Sequence, residues 1–198
     1  PITYVSLNLS GNKLNFFKYD DKYGLPQYYD ENGKSSKRTI MKTPINGARL
    51  SSGYGNRKHP ILGYTKMHRG LDFAAPLGTP VFAAGDGVVE KAGWNGSYGR
   101  YIRIRHTGTY KTAYAHLSRF NKNVRIGKRV LQGKTIGYVG SSGRSTGPHL
   151  HYEVLRNNKQ INPVKIKLPA GKNVSKKDIH DYKKHILNLS LIHISEPT

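Results

Sequence analysis

Two histidines one residue apart stand in the run Gly147-Pro148-His149-Leu150-His151-Tyr152-Glu153-Val154. Polar and apolar side chains alternate along this run, and that alternation predicts a β-strand. A strand turns successive side chains to opposite faces, so His149 and His151 share one face, about 6.5–7 Å apart. Two imidazoles on one face are a costly arrangement for packing alone. They suit a site in which one ring binds a metal ion and the other transfers protons.

Two other short motifs add candidate ligands. A histidine and a carboxylate lie four residues apart in Met67-His68-Arg69-Gly70-Leu71-Asp72, and another histidine lies in Tyr114-Ala115-His116-Leu117. Two imidazoles and one carboxylate with an open fourth position are a usual ligand set of catalytic zinc. Thiolate ligands are excluded because the chain has no cysteine. The helical zinc proteases are excluded because the chain has no His-Glu-x-x-His sequence.

Some of these residues also have simpler interpretations. Asp72 taken alone fits a turn or cap carboxylate equally well. Glu153 lies on the same strand face as His151, either as a partner of that histidine or as a solvated strand residue. The remaining histidines are interpreted as structural or solvated, and the one in the C-terminal tail is set aside: His59, His106, His180, His185 and, in the tail, His193.

Length and composition favour one small β-rich domain with an accessory segment. The 198 residues include 22 glycines, which suits many tight turns better than a helical bundle. No run approaches the roughly 20 apolar residues that span a bilayer. Since the chain begins at Pro1, we expect any signal peptide or membrane anchor to be absent from it. The sequence leaves the oligomeric state open.

The chain is strongly basic. It has 33 Lys and Arg residues against 11 Asp and Glu residues, which gives a formal net charge of +22. Such a surface attracts polyanions, whether nucleic acids, anionic lipid headgroups or the acidic polymers of a cell envelope. The basic residues are spread along the chain without an aromatic-interleaved motif, so we expect no nucleic-acid partner. We expect anionic envelope polymers as partners, and a basic surface that merely solvates the protein is the alternative.

Turn-forming residues divide most of the chain into two β-rich parts. Residues 1–43 contain alternating runs around Ser10-Gly11-Asn12 and predict the end of an N-terminal β accessory domain, followed by a linker. Residues 44–168 contain many short alternating runs separated by glycines. They predict an antiparallel β domain without a long helix.

The C-terminal region has a different pattern. Residues 169–189 predict a short helix, because Ser175 and Asp178 resemble a capping box ahead of apolar residues at three- and four-residue steps. Residues 190–198 fit neither the helical nor the strand pattern, and we interpret them as a non-native tail.

The motifs together resemble those of a known family. Three of them occur in the order and spacing of the lysostaphin-type (LytM-like) zinc metalloendopeptidases: His68-x-x-x-Asp72, Ala115-His116-Leu117 and His149-Leu150-His151. The surrounding segments 52–60, 70–80 and 140–148 resemble the family as well, so that the resemblance covers about residues 44–168. It implies a mainly β fold, in which an antiparallel LytM-like peptidase domain with an open groove carries a β-rich N-terminal accessory segment and a short C-terminal helix.

The resemblance implies a role for each motif residue. His68, Asp72 and His151 correspond to the ligands of one zinc ion per chain. His149 and His116 correspond to the catalytic pair that flanks the reacting water. Which of these two histidines acts as the base, and which one assists the oxyanion or the leaving amine, is left open.

The resemblance also implies a function. Members of the family cut peptide cross-links of bacterial peptidoglycan, so we expect a zinc-dependent endopeptidase of cell-wall remodelling in the periplasm or cell envelope. Residues 26–43 resemble the segment before this domain in Gram-negative envelope endopeptidases, which favours the bond between D-alanine and meso-diaminopimelate. The alternative is a catalytically silent envelope regulator that binds peptidoglycan or activates an amidase. Retention of all five motif residues favours the enzyme.

Overall fold

The structure is a computed structural model that describes residues 2–20, 26–58, 65–166, 171 and 173–194. Contacts within the chain divide it into two compact units. The terminal unit combines Pro1–Thr39 with Leu168–Thr198, and the central unit is Ile40–Lys167. The N-terminal segment and the C-terminal helix, which the sequence presents as separate parts, therefore belong to one unit.

The terminal unit contains a three-stranded antiparallel sheet in the order β1 (Tyr4–Leu9), β2 (Asn12–Asp20) and β3 (Pro26–Tyr29). The chain turns between β1 and β2 at Ser10 and Gly11, which have positive φ angles of 50° and 83°. Positive φ at both central residues is typical of the two-residue type I′ turn, whose twist matches that of the strands. The hairpin predicted at this point of the sequence is confirmed.

One helix, α1 (Ile179–Ile194), completes the terminal unit. Tyr182 on α1 is fully buried and packs against Phe17 and Tyr29 of the sheet. Its hydroxyl donates to the backbone carbonyl oxygens of Tyr29 and Asp30, at 3.0 and 2.8 Å. The apolar stripe of the helix is therefore a packing surface. Among the described residues, no helix combines the length and the apolar character that crossing a membrane requires.

Both ends of α1 differ from the prediction. Ser175 Oγ accepts from the backbone N–H of Asp178 at 3.2 Å, the first of the two bonds of a capping box, and its hydroxyl donates to the Asp178 carboxylate at 2.7 Å. These contacts lie in a turn, however, and Asp178 is the residue that immediately precedes the helix. The helix also continues to Ile194, because no glycine or proline stops it before Pro197. The helix thus extends beyond the predicted end at residue 189, and the interpretation of residues 190–198 as a non-native tail stays a prediction.

The central unit is built from antiparallel strands, which confirms the predicted mainly β fold. In chain order they are β4 (Arg49–Ser52), β5 (Gly55–Lys58), β6 (Thr65–His68), β7 (Leu71–Ala74), β8 (Pro80–Phe82), β9 (Gly87–Trp94), β10 (Arg100–Arg105), β11 (Tyr110–Phe120), β12 (Arg129–Val130), β13 (Thr135–Val139), β14 (His149–Arg156) and β15 (Lys159–Ile161). The main sheet has the order β12-β9-β10-β11-β14-β7-β4. Beyond this path β13 pairs with β11 and β8, β15 pairs with β14, and β5 and β6 form a separate hairpin.

Strand β14 lies between β11 and β7 in the main sheet. Its apolar residues are fully buried on one face: Leu150, Tyr152 and Val154. His149, His151 and Glu153 therefore point to the opposite face, as the alternation in the sequence predicts. The core thus fixes the direction in which both histidines of this strand face.

An ion-pair cluster crosses three neighbouring strands of the main sheet. Glu90 on β9 accepts from Arg103 Nε at 3.0 Å and from Lys111 Nζ at 2.9 Å, and Arg105 Nε lies 3.4 Å from the same carboxylate. Burial raises the pKa of Glu90, but hydrogen bonding and charge from Lys111 and Arg103 outweigh burial and lower that pKa below its ordinary value. In a chain with a net charge of +22, this carboxylate screens three cations from one another.

We expect Glu90→Gln to lower the free energy of unfolding at pH 7 by about 1 kcal/mol, the upper range for a partly exposed ion-pair cluster. Because the folded-state pKa is lowered, ionised Glu90 stabilises the fold above its ordinary pKa of 4.5 and loses this effect as pH falls further. The difference between wild type and variant should therefore shrink below pH ~4. Urea unfolding at a series of pH values measures it, and a difference that stays constant down to pH ~3 would contradict the prediction.

Candidate metal centre

Three strands bring the predicted ligands together. His68 ends β6, Asp72 lies on β7, and His151 lies on β14 directly opposite Asp72. His68 Nε2 lies 3.1 Å from Asp72 Oδ1 and 3.1 Å from His151 Nδ1. His151 Nδ1 in turn lies 2.8 Å from Asp72 Oδ1. The three atoms converge on one point, and the side chains that carry them are at most 10% exposed.

The protein holds the outer nitrogen of each of the two rings. His68 Nδ1–H donates to the backbone carbonyl oxygen of Gly53 at 2.7 Å. His151 Nε2–H donates to Oε1 of Glu153 at 3.1 Å. In the neutral rings these bonds leave His68 Nε2 and His151 Nδ1 with the lone pairs. Both inner nitrogens can therefore act as metal ligands, with their orientation already fixed.

The carboxylate of Asp72 supplies the third donor. Its Oδ2 accepts from an Arg57 guanidinium N–H at 3.0 Å, which leaves Oδ1 toward the imidazoles. Burial raises the pKa of Asp72, but hydrogen bonds with His151 and His68 hold it well below its usual range. Burial lowers the pKa of His151, but Asp72 and Glu153 raise it to about 9, so a cation that binds Nδ1 at pH 7 does so in exchange for a proton. The cluster thus attracts positive charge, and its two-imidazole, one-carboxylate donor set fits a divalent cation such as zinc.

His149 and His116 lie beside these donor atoms, with their ring centroids 4.7 Å apart. His149 Nδ1–H donates to the carbonyl oxygen of Gly147 at 2.8 Å, and its Nε2 lies 3.8 Å from Asp72 Oδ1. His116 Nδ1–H donates to the carbonyl oxygen of Ser142 at 2.8 Å. Burial lowers the pKa of His116 to about 4, so this ring is neutral at pH 7. In each neutral ring the lone pair is on Nε2, where it can accept a proton.

The backbone of His116 is strained. Its φ angle is +59°, the left-handed region, although the residue lies within β11. Such a conformation costs roughly 1–3 kcal/mol in a non-glycine residue and clusters at functional sites. Gly140, the residue after β13, packs closely against this backbone, since a β-carbon there would lie 2.6 Å from the carbonyl oxygen of His116. The His116 ring lies beside the rings of His149 and His151, with centroid distances of 4.7 and 6.0 Å.

Gly70 lies between two of the predicted ligands and packs against the third. A β-carbon at this position would lie 2.6 Å from Cε1 of His151 and 2.7 Å from the carbonyl oxygen of Tyr152. Real β-carbons essentially never approach other atoms so closely, so a side chain here would displace the His151 ring or its strand. Gly70 was not among the predicted site residues, although a glycine between two candidate ligands was a usable signal.

A groove with a volume of about 520 Å³ is lined by all five residues that the sequence predicts for the site. Tyr98 and Arg57, which were not among the predicted site residues, also line it. They are distant in sequence from His151 and from each other, and no motif spacing marks them. Of the other described histidines, none lines the groove. His59 and the side chain of His193 lie outside the described residues.

The chain is similar in sequence to known peptidases. The model of peptidase family M23 matches residues 66–163. The chain is 48% identical over 159 residues to the peptidoglycan DD-endopeptidase ShyC of Vibrio cholerae, a match that covers 80% of this chain and 36% of that protein. Across the curated relatives that match first, the chain spans about a third of their length.

Solved structures that are similar to this chain include two peptidases. A zinc containing peptidase from Vibrio cholerae has a TM-score of 0.62 and 36% identity, and the match covers 85% of this chain and 51% of that one. The catalytic domain of lysostaphin from Staphylococcus simulans has a TM-score of 0.55 and 36% identity. That second match covers 60% of this chain and 91% of the lysostaphin domain.

We expect Gly70→Ala to weaken zinc binding by roughly 10-fold or more, because the added methyl group displaces the ring of His151. Gly93→Ala is the matched control, since a β-carbon at that strand position meets no atom within 4 Å. Competition with a chromophoric chelator measures the affinity, and circular dichroism checks that both variants fold. Equal zinc affinity of Gly70→Ala and the wild type would contradict the role given to this glycine.

Proposed function

Because the chain belongs to peptidase family M23, we propose that it is a zinc-dependent endopeptidase that hydrolyses peptide cross-links of bacterial peptidoglycan. The observation that carries this proposal is the convergence of three donor atoms beside two further imidazoles in one groove. Structural zinc sites use four protein ligands, whereas three leave room for water and substrate. The geometry therefore supports a catalytic site better than a structural one.

We assign one zinc ion per chain to His68, Asp72 and His151. When bound, zinc acts as a Lewis acid that activates water for attack and polarises the scissile carbonyl group. The protein's part is to keep the three donors aimed at one point. The carbonyl oxygen of Gly53 and the carboxylate of Glu153 hold the two rings, and the Arg57 guanidinium holds the far oxygen of Asp72.

We assign the proton transfers to His149 and His116. Nε2 of His149 lies 3.8 Å from Asp72 Oδ1, close to the point where the donors converge, so His149 is the base that takes the proton of the attacking water. The ring of His116 lies beside that of His149, with their centroids 4.7 Å apart. Since its Nδ1–H is engaged with Ser142, Nε2 of His116 donates only after it has gained a proton. A proton taken up by this pair is then available to the departing amine.

The substrate that we propose is the bond between D-alanine and meso-diaminopimelate in peptidoglycan cross-links. It is supported by the similarity to ShyC, which is named a peptidoglycan DD-endopeptidase, over 80% of this chain. An enzyme with this substrate acts in the bacterial periplasm or cell envelope. A silent regulator that binds peptidoglycan without cutting it is the competing function, and the experiment below separates the two.

The zinc-loaded wild type should release cross-link cleavage products from purified peptidoglycan, identified by mass spectrometry of the muropeptides. His149→Ala should keep a full equivalent of zinc but lose hydrolysis by roughly 100-fold or more, the scale for removing a general base. His151→Ala should lose both zinc and hydrolysis, because it removes a ligand.

Zinc content by elemental analysis is the control for both variants. Intact muropeptides after digestion with fully zinc-loaded wild type would refute the endopeptidase and favour the silent regulator. Equal loss of zinc from the two histidine variants would refute the division of labour between ligand and base.

The basic surface predicts a second measurable property. If the charge of +22 holds the protein on anionic envelope polymers, binding to intact sacculi should weaken as salt rises, since exposed charges are screened beyond ~8 Å at physiological ionic strength. Hydrolysis of a small soluble cross-linked peptide should change much less. Sedimentation of Asp72→Ala with sacculi across a salt series measures binding without cleavage. Binding that is indifferent to salt would leave the basic surface as a solvating one.

A further inference from the structure

We propose that Glu153 is a positioning residue for the metal site: its carboxylate holds the ring of His151 so that Nδ1, and not Nε2, is presented to the cation. This role rests on the zinc site proposed above, and the family resemblance assigns none to Glu153. It concerns the affinity for the metal before any substrate is bound.

The two nitrogens of the His151 ring face different carboxylates. Nε2 lies 3.1 Å from Oε1 of Glu153, whereas Nδ1 lies 2.8 Å from Oδ1 of Asp72. A neutral imidazole carries one N–H and one lone pair, and a carboxylate only accepts. With the N–H donated to Glu153, the lone pair is on Nδ1, which also faces His68 Nε2 at 3.1 Å. Glu153 thereby selects the tautomer that can bind a cation at the convergence point.

Glu153 is itself fixed from two other segments. Tyr98, in the 3₁₀ turn Gly96–Tyr98, donates from its hydroxyl to Oε1 at 2.8 Å. Gln160 on β15 donates from its amide to Oε2 at 3.3 Å. The ring of Tyr98 also lies against the ring of His151, with centroids 5.6 Å apart. The carboxylate therefore has little freedom to move away from the histidine that it orients.

The burial of Glu153 argues against a merely structural role. The residue is 1% exposed, so it is not the solvated strand residue that the sequence also allowed. Burying a carboxylate costs several kcal/mol unless charge and hydrogen bonds compensate, and apolar residues of similar size are often as stable or more so. The apolar neighbours Val154 and Leu155 are buried in the same strand. A buried acid at this position is thus explained by the ring that it holds.

Two substitutions separate orientation from charge. Glu153→Gln keeps the shape and an acceptor oxygen but removes the charge, and should weaken zinc binding by roughly 10-fold. Glu153→Leu removes the acceptor as well, and should weaken it by roughly 100-fold. Competition with a chromophoric chelator gives the affinities without substrate. Nitrogen-15 spectra of the zinc-loaded protein should show the Nε2–H tautomer of His151 in the wild type and its loss in Glu153→Leu.

Glu90→Gln is the matched control, because it removes one carboxylate charge from the same unit, and its ion-pair partners Arg103, Arg105 and Lys111 are not ligands. It should leave zinc affinity unchanged. A structural role for Glu153 would instead lower the unfolding free energy of the metal-free variants and leave their zinc affinity alone. Wild-type affinity in Glu153→Leu overturns the proposal. If that variant does not fold, wild-type affinity together with an unchanged tautomer in Glu153→Gln overturns it.

The same experiment keeps the two proposals distinguishable. Stoichiometric zinc binding by the wild type without digestion of peptidoglycan would refute the endopeptidase, while the affinities of the Glu153 variants would still decide the positioning role. A wild type that binds no zinc would overturn both. Zinc binding and digestion by the wild type, with unaltered affinity in the variants, would overturn the positioning role alone.

Discussion

Backbone pairing between β7 and β14 sets Asp72 opposite His151. The contact of 2.8 Å between their side chains follows from that register, and so does the approach of His68, which ends the strand before β7. A slip of one residue would turn His151 to the face of Leu150 and bury it in the apolar core. The register is secured because Leu150, Tyr152 and Val154 fill that core. Apolar packing on one face of β14 thus determines the chemistry on the other.

The few carboxylates of the central unit are all used within the fold. Residues 44–168 contain four of them, in a chain with 33 basic residues. Asp72 lies against the imidazoles, and Glu153 accepts from His151. Glu90 forms ion pairs with three basic side chains. Asp86 accepts from the backbone N–H of Gln132 at 2.7 Å. Negative charge is therefore concentrated where it fixes structure or a ligand. Basic residues therefore outnumber carboxylates strongly in the central unit, which agrees with the salt dependence proposed for sacculus binding.

Features carried by short stretches of sequence could be predicted. The alternation in β14 predicts which face His151 occupies, and the turn residues at Ser10 and Gly11 predict a hairpin, because both depend on neighbours in the chain. The juxtaposition of His68, Asp72 and His151 was expected from the family resemblance, and the roles of these residues remain predictions.

Features that depend on distant contacts could not be predicted. Tyr98 reaches the site through the connection between β9 and β10, and the strained backbone of His116 packs against Gly140 from a later segment of the chain. The end of α1 was misjudged for a different reason. The sequence pattern weakens after residue 189, yet nothing before Pro197 terminates a helix.

The donors of the metal site are far apart along the chain: 79 residues separate Asp72 from His151, and 83 separate His68 from His151. A chain that ends before β14 holds only two of the three donors, and it lacks the strand that aligns them. Cation binding at this centre is therefore coupled to the completion of the central sheet. A chain that is only partly synthesised therefore lacks the complete donor set of the proposed zinc site. For the proposed endopeptidase, the order in which the strands are made delays the capacity to cut until the central sheet is complete.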